Sequence, residues 1–233
     1  VYTIYVSTRQ FPAEIGELFF VVSEQVLEQG YSLPAHIPYY TEGGLPFAYP
    51  PFMFYVLAAL QSIGFSPVTL ALYLPGAVLT FSMVPLYYFT DEVLNSRVQA
   101  SAATALTAIT PFFFVSKIIG AGTVRAPAFL FSVTGFFVGY RLFRTHELRY
   151  LFGGVGCFTL TVLTHPQYAA FFGITYLALY IGYDRSKAGL VQGTVVALGG
   201  ALLATPWWVP VVQTHGIDIF FLASGTSGGI LKP

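Results

Sequence analysis

Apolar stretches near the length of about 20 residues that a membrane-crossing helix needs run along most of the chain. Only short polar breaks separate them, and they lie at residues 66–90, 98–115, 126–143, 150–164, 167–183 and 188–204. The pattern predicts six transmembrane helices. Residues 1–6 resemble the outer end of a seventh helix whose beginning is missing. They have no positively charged leader, so we do not interpret them as a signal peptide.

A different pattern occupies residues 14–30. At the helical spacing of about 100° per residue, four glutamates fall on one helix face, within an arc of about 80°. They are Glu14, Glu17, Glu24 and Glu28. Phe19, Val22, Ser23, Val26 and Leu27 lie on the opposite face. This amphipathic pattern predicts a helix that lies flat at the membrane surface.

Residues 50–61 form a shorter apolar run, and the distribution of cations decides whether it crosses the bilayer. If it does not cross, all the basic breaks share one side, as the positive-inside rule requires. These breaks, at residues 91–97, 141–149 and 184–187, contain six of the ten cations, namely Arg97, Arg141, Arg144, Arg149, Arg185 and Lys187. We therefore interpret residues 50–61 as an interfacial or re-entrant helix, and the basic breaks as cytoplasmic loops.

The predicted architecture is an all-α, polytopic integral membrane protein with six to seven transmembrane helices. Residues 1–9 end the first span, and residues 10–65 form a large outer loop with two interfacial helices. Residues 66–204 contain six spans, and residues 205–233 form an outer tail in which Trp207 and Trp208 mark the membrane boundary. We expect the chain to be truncated at both ends, and residues 224–233 to be flexible.

Composition agrees with a membrane protein and excludes several other classes. Hydrophobic residues make up 55% of the chain and charged residues 9%, which leaves too little polar surface for a soluble globule. Ten basic residues balance ten acidic ones, so no basic patch suggests a nucleic-acid partner. Cys157 is the only cysteine, so it forms no intrachain disulfide and is expected to be a small buried hydrophobe.

Several motifs resemble the GT-C superfamily of membrane glycosyltransferases, which includes protein mannosyltransferases and aminoarabinose transferases. The chain has an acidic residue at the start of its first outer loop and a loop at residues 116–125 after Thr110-Pro111. The other motifs are Glu28-Gln29-Gly30 at the end of an amphipathic helix, Phe47-Ala48-Tyr49-Pro50-Pro51 before a short apolar helix, and Leu163-Thr164-His165-Pro166 at the outer end of a span.

The resemblance implies transfer of a sugar from a polyprenyl-phosphate donor, with inversion at the sugar. The acceptor would be a hydroxyl or amide of a glycan, lipid or protein. Transfer would occur at the extracytoplasmic face of the plasma membrane, with the bilayer holding both the enzyme and its donor.

The same resemblance implies catalytic roles for particular residues. The family usually has an Asp base just after the first span, and Glu14 is the nearest matching position, with Glu17 as second choice. Lys117 and Arg125 could bind the donor phosphate, Arg by a bidentate fork and Lys as a point charge. The alternatives are that the glutamates are the wet face of an interfacial helix, and that the cations only mark the ends of spans.

His165, His36, Glu42 and Tyr49 are further candidates for substrate binding. His165 could instead simply end a helix before Pro166, and Tyr49 could be an interface anchor. No residues have the spacing of a metal site. A divalent metal ion stays open as a cofactor because some members of the superfamily need one.

Two other functional classes fit part of the sequence. A transporter or flippase would carry charges within its spans, whereas residues 98–115, 126–140 and 150–164 contain none. A scaffold that kept the fold and lost its base would explain Glu in place of Asp. Single-turnover sugar transfer separates the scaffold from the enzyme, and transport in vesicles separates a carrier from both.

Overall fold

The computed structural model describes residues 2–8, 11, 16–37, 45–119 and 122–220. Helices make up almost all of this part of the chain, which confirms the all-α prediction. The helices are α1 (Tyr2–Thr8), α2 (Gly16–Glu28), α3 (Phe52–Ser62), α4 (Pro67–Leu94), α5 (Arg97–Ile109), α6 (Pro111–Phe114), α7 (Gly122–Thr145), α8 (Leu148–Val162), α9 (Pro166–Tyr183), α10 (Lys187–Leu203) and α11 (Thr205–His215). A π-helical turn, Val115–Ile119, follows α6.

The only sheet in the described residues pairs two short strands, β1 (His36–Ile37) and β2 (Leu45–Pro46). The strands are antiparallel, with His36 opposite Pro46. The backbone N–H of Phe47 donates to the carbonyl of Ala35 at 2.9 Å just beyond the pair. These bonds bring the two ends of the intervening loop together and lead the chain into α3.

Five of the six predicted spans each coincide with one helix, whereas residues 98–115 cover α5, α6 and the start of the π-helical turn. Fewer helices have the length and hydropathy expected of a full crossing. In the described residues α4 and α7 meet them, and the total rises to four if α5 with residues 111–118 and α10 with α11 each count as one bent span. The bends are 57° and 60°. The structure therefore supports two to four crossings, and the count of six to seven stays a prediction.

The bend after α5 has a clear covalent cause. The helix ends at Ile109, and Pro111 begins the next segment. Proline lacks the N–H that would continue the helical ladder, and it disfavours helical geometry in the residue before it. The apolar pattern over residues 98–115 is continuous, so it could not reveal this interruption.

Serine side chains begin three of the long helices and explain the polar breaks between the apolar stretches. Ser66 accepts from the N–H of Thr69 at 3.1 Å at the start of α4. Ser96 and Ser186 cap α5 and α10 in the same way. Each cap satisfies an N–H that the first helical turn would otherwise leave without a partner.

The three basic breaks meet at one end of the helix bundle, which we call the basic end. Arg141 near the end of α7 pairs with Glu92 of α4, and the Tyr140 hydroxyl donates to the Glu92 carbonyl at 3.0 Å. His146 hydrogen-bonds through Nδ1 to Gln192 of α10 at 2.8 Å. Asp184 lies 3.9 Å from His146, so all three breaks lie at the same end of the bundle, and the side of the membrane that this end faces stays a prediction.

The amphipathic helix exists as α2, but its apolar face is covered by protein. Phe19, Val22 and Val26 are buried in a cluster formed with α3. Ser23 is also fully buried, and it accepts from the Gln61 side-chain amide of α3 at 2.7 Å. The apolar face of α2 is therefore covered by α3 in the described residues, and the position of α2 at the membrane surface stays a prediction.

The predicted outer tail begins with a helix. The chain bends after Leu203, and α11 follows with a buried Trp207. The indole N–H of Trp208 donates to the Ala201 carbonyl at 2.9 Å, which ties α11 back to α10. The expected flexible stretch at residues 224–233 lies outside the described residues.

Candidate functional site

The start of α3 and the break between α8 and α9 are joined at the end of the bundle opposite the basic end. The backbone N–H of Phe52 donates to the carbonyl of Leu163 at 3.0 Å. This bond places the loop before α3 next to the first turn of α9. As a result, the rings of Tyr49 and His165 lie edge to face with their centroids 6.1 Å apart.

His165 precedes α9, and its neighbour in space is Tyr168. Their ring centroids are 5.3 Å apart, because residues three apart share one face of a helical turn. His165 Nδ1 and the Tyr168 hydroxyl are both buried and have no hydrogen-bond partner in the described residues. Buried polar atoms are nearly always hydrogen-bonded, so these two atoms are available to a bound molecule.

Two cations complete this group of side chains. The Lys117 ammonium lies 4.8 Å from the centre of the Tyr168 ring, a distance at which a cation and an aromatic face attract each other. Arg125 lies in the first turn of α7, and both side chains are half-buried. We call Lys117, Arg125, His165, Tyr168 and Tyr49 the cationic cluster.

The cationic cluster has no carboxylate partner within the part of the chain that the structure describes. The ion pairs of the described residues all lie at the basic end. They join Arg141 to Glu92, Arg149 to Glu147 and His146 to Asp184. A half-buried positive charge without a counterion is costly. The arrangement therefore favours binding of an anion.

The cluster also controls the charge on its own histidine. Burial, together with the nearby charges of Arg125 and Lys117, lowers the pKa of His165 to about 4. Burial raises the pKa of Tyr49, and Arg125 partly opposes that shift. Near neutral pH both side chains are uncharged, so each can donate a hydrogen bond to an anion held by the cations.

The structure describes only part of the acidic residues that were candidates for the base or for substrate binding. Glu14 and Glu42 lie outside the described residues. Glu17 lies in the first turn of α2, but its side chain is outside the described part. Glu24 and Glu28, the other two glutamates of the predicted acidic face, are exposed, as expected for the wet face of the helix.

His36 has a neighbour that sequence spacing did not reveal. Its ring lies edge to face with His215, with centroids 5.5 Å apart, although the two residues are far apart in the chain. The structure contains no group of three or more potential metal ligands among the residues it describes. The question of a divalent metal ion therefore stays open.

Tyr168 was missed in the sequence, although a signal for it existed. His165 precedes a proline that begins a helix, so the residue three positions later had to lie on the same side of the first turn. His215 and Gln61 had no such signal, because only tertiary packing brings them to His36 and Ser23.

The comparisons with known proteins give no further identification. No family model, no curated protein and no solved structure matches this chain.

Proposed function

We propose that this protein is a membrane glycosyltransferase that moves a sugar from a polyprenyl-phosphate donor to an acceptor at the extracytoplasmic face of the plasma membrane. The acceptor is a hydroxyl or amide of a glycan, lipid or protein. The chain would act as a GT-C-like enzyme with six to seven spans, and the sugar would be inverted.

The observation that carries this proposal is the position of the cationic cluster. Lys117 and Arg125 lie near the start of α7, a helix long enough to cross a membrane. Both are half-buried and have no carboxylate partner in the described residues. They lie beside buried polar atoms of His165 and Tyr168 that also have no described partner. A lipid phosphate at the membrane boundary would supply the negative charge and the acceptor oxygens that these groups need.

The chemistry of the transfer makes use of such a site. When the acceptor oxygen or nitrogen attacks the sugar, the bond from the sugar to the phosphate breaks and negative charge develops on the leaving phosphate. Cations and hydrogen-bond donors already in position stabilise that charge more in the transition state than in the ground state. Lys117 and Arg125 would supply the cations, and His165 and Tyr168 the donors.

A single carboxylate suffices for the proton transfer. Direct displacement inverts the sugar carbon, and the base only removes the acceptor proton. Glu14 is our first assignment and Glu17 our second. Glu17 belongs to α2, and α2 contacts both α3 and α7, the two helices whose starts carry parts of the cluster or adjoin it. His36, Glu42 and Tyr49 are proposed to contact the sugar or the acceptor.

The orientation follows from the two ends of the bundle. The basic end contains most of the loop cations and is assigned to the cytoplasm by the positive-inside rule. The cationic cluster is at the other end, so it would face the extracytoplasmic side. The charged residues of α4, α7 and α10 lie in or near their terminal turns, which disfavours a carrier with charges along its path.

Sugar transfer by the full-length protein in membranes tests this proposal. A panel of radiolabelled polyprenyl-phosphate sugars would be compared for wild type, Glu14→Gln and Glu17→Gln, with Glu24→Gln as the matched control on the exposed part of α2. We expect transfer from one donor, and its loss in Glu14→Gln or Glu17→Gln with donor binding retained. Undiminished transfer in both variants would exclude the assigned base, and no transfer by wild type from any donor would favour the non-catalytic scaffold.

A further inference from the structure

A groove of about 210 Å³ runs between α9 and α10. Its floor consists of buried aromatic and aliphatic side chains, among them Phe143, Phe172, Tyr176 and Val196. The lining residues of α9 begin at Phe172 and reach Tyr180, toward the basic end of that helix. The groove is therefore separate from the cationic cluster, which lies at the start of α9.

Glycines create the space in this groove. A Cβ atom added to Gly173 of α9 would meet no atom within 4 Å. One added to Gly193 of α10 would meet only the Phe143 ring, at 3.5 Å, an ordinary contact distance. Larger side chains at these positions would project into the groove without displacing the backbone.

The surface around the groove is apolar. Leu177 and Leu190 line it and are 58% and 54% exposed. Ile174 on α9 and Val191 on α10 extend the apolar surface and are 63% and 61% exposed. Exposed apolar surface of this extent marks a contact with lipid or with another molecule, and an apolar groove within it suits a hydrocarbon chain.

The free charges at one end of the groove are positive. Arg185 and Lys187 lie in the break between α9 and α10 and are both exposed, within about a turn of the lining residues Gly189 and Leu190. The nearby Asp184 is turned inward, with only 6% of its side chain exposed, and lies 3.9 Å from His146. Within the break itself, residues 184–187, both cations are thus exposed and the carboxylate is turned inward.

We propose that this groove binds an acyl chain of an anionic phospholipid, whose phosphate is held by Arg185 and Lys187. Apolar burial holds the chain, and charge attraction selects the headgroup. A second copy of this chain is the competing occupant, because Gly189 and Gly193 have the spacing of a helix-pairing motif. A two-fold pairing of the two grooves would bring the Arg185 and Lys187 pairs of both copies together, so the charges favour the lipid.

Native mass spectrometry of the full-length protein tests the proposal, with phosphatidylglycerol and phosphatidylcholine as probes. We expect wild type to retain phosphatidylglycerol at least tenfold better than phosphatidylcholine. Gly173→Leu, which fills the groove, should reduce the retained phosphatidylglycerol at least tenfold. The Arg185→Ala, Lys187→Ala double variant should lose the preference between the two lipids.

Gly156→Leu is the matched control for the groove-filling variant. Gly156 lies in α8, does not line the groove, and also has no atom within 4 Å of an added Cβ. It should retain phosphatidylglycerol as wild type does. Polyprenyl phosphate binding should be unchanged in all these variants, which separates this groove from the proposed donor site.

Two results would overturn the proposal. One is equal retention of phosphatidylglycerol by wild type and Gly173→Leu. The other is a wild-type dimer that Gly173→Leu converts to a monomer, which would assign the groove to a second copy. If Gly173→Leu does not fold, wild type alone can be tested with phosphatidylglycerol that carries a photoreactive acyl chain. The proposal predicts labelling of residues 172–180 or 189–197. Labelling elsewhere would show that the acyl chain does not bind in the groove.

Discussion

The two ends of the helix bundle differ in the partners and the burial of their charged residues. At the basic end Arg141, Arg149 and His146 each lie within ion-pair distance of a carboxylate. At the opposite end Lys117 and Arg125 have no carboxylate partner in the described residues, and they lie beside buried polar atoms of His165 and Tyr168. The other cations of the basic end, Arg97, Arg144, Arg185 and Lys187, are exposed, so water stabilises their charge. Lys117 and Arg125 are half-buried, so a ligand anion would stabilise them more than water does.

The largest expected effect comes from removing a cation of the cluster. Arg125→Met should lower sugar transfer by about 100-fold or more, because loss of one donor to a developing anion costs that much in other enzymes. Transfer from a radiolabelled polyprenyl-phosphate sugar measures the effect. The control is Arg149→Met, a cation at the basic end that is 68% exposed, and it should leave transfer within about twofold of wild type. Equal losses in the two variants would remove the distinction between the ends.

The pH dependence of stability should reflect His165. Its folded-state pKa, about 4, is below the ordinary value of 6.5, so the unfolded chain takes up this proton first as the pH falls. Neutral His165 leaves the free energy of unfolding undiminished above about pH 6.5. That free energy falls by about 2 kcal/mol as the pH is lowered to 5. Thermal unfolding at pH 7.5 and at pH 5 would measure this loss of stability. Unfolding would be detected by the reaction of a thiol dye with Cys157 as that residue becomes exposed.

His165→Gln should remove this part of the pH dependence, and the matched control His36→Gln should keep it. His36 is exposed and lies in the short sheet, outside the cationic cluster. An identical pH slope in wild type and His165→Gln would show that the cluster does not hold His165 neutral.

A smaller effect is expected from breaking an ion pair at the basic end. Arg141 and Glu92 side chains are 36% and 28% exposed, so water screens their attraction. Arg141→Met should therefore reduce the free energy of unfolding by no more than about 1 kcal/mol, without changing transfer. A large loss of transfer with normal stability would mean that this paired cation also serves the reaction.

The smallest effect concerns the exposed glutamates of α2. Glu24→Gln and Glu28→Gln should leave both transfer and melting temperature unchanged, because both side chains face outward and surface substitutions change stability by about 0.5 kcal/mol or less. The same transfer and unfolding assays apply. A clear loss of transfer in Glu24→Gln would place the acidic chemistry further along α2 than we assign it.

Sequence reasoning predicted the helices more fully than their contacts. The apolar stretches alone identified α4, α5 and α10, because hydropathy along the chain is a local property. The amphipathic pattern of α2 predicted a helix and its apolar face. It could not tell whether lipid or α3 covers that face, since both are apolar.

The candidate site divides in the same way. Lys117, Arg125 and His165 were found in the sequence as polar residues at span ends, and Tyr49 by its place before the paired prolines. Their assembly depends on a long-range bond from Phe52 to Leu163, which no local pattern encodes. The role of the glutamates rests on the resemblance, and Glu14 lies outside the described residues.

Binding of sugar-free polyprenyl phosphate is the most direct test of the central claim that Lys117 and Arg125 hold the donor phosphate. Its dissociation constant would be measured for wild type, for the Lys117→Met, Arg125→Met double variant, and for an Arg144→Met, Arg149→Met control with the same loss of charge. We predict at least about 100-fold weaker binding in the first double variant and little change in the control. Equal affinity in all three proteins would contradict the account.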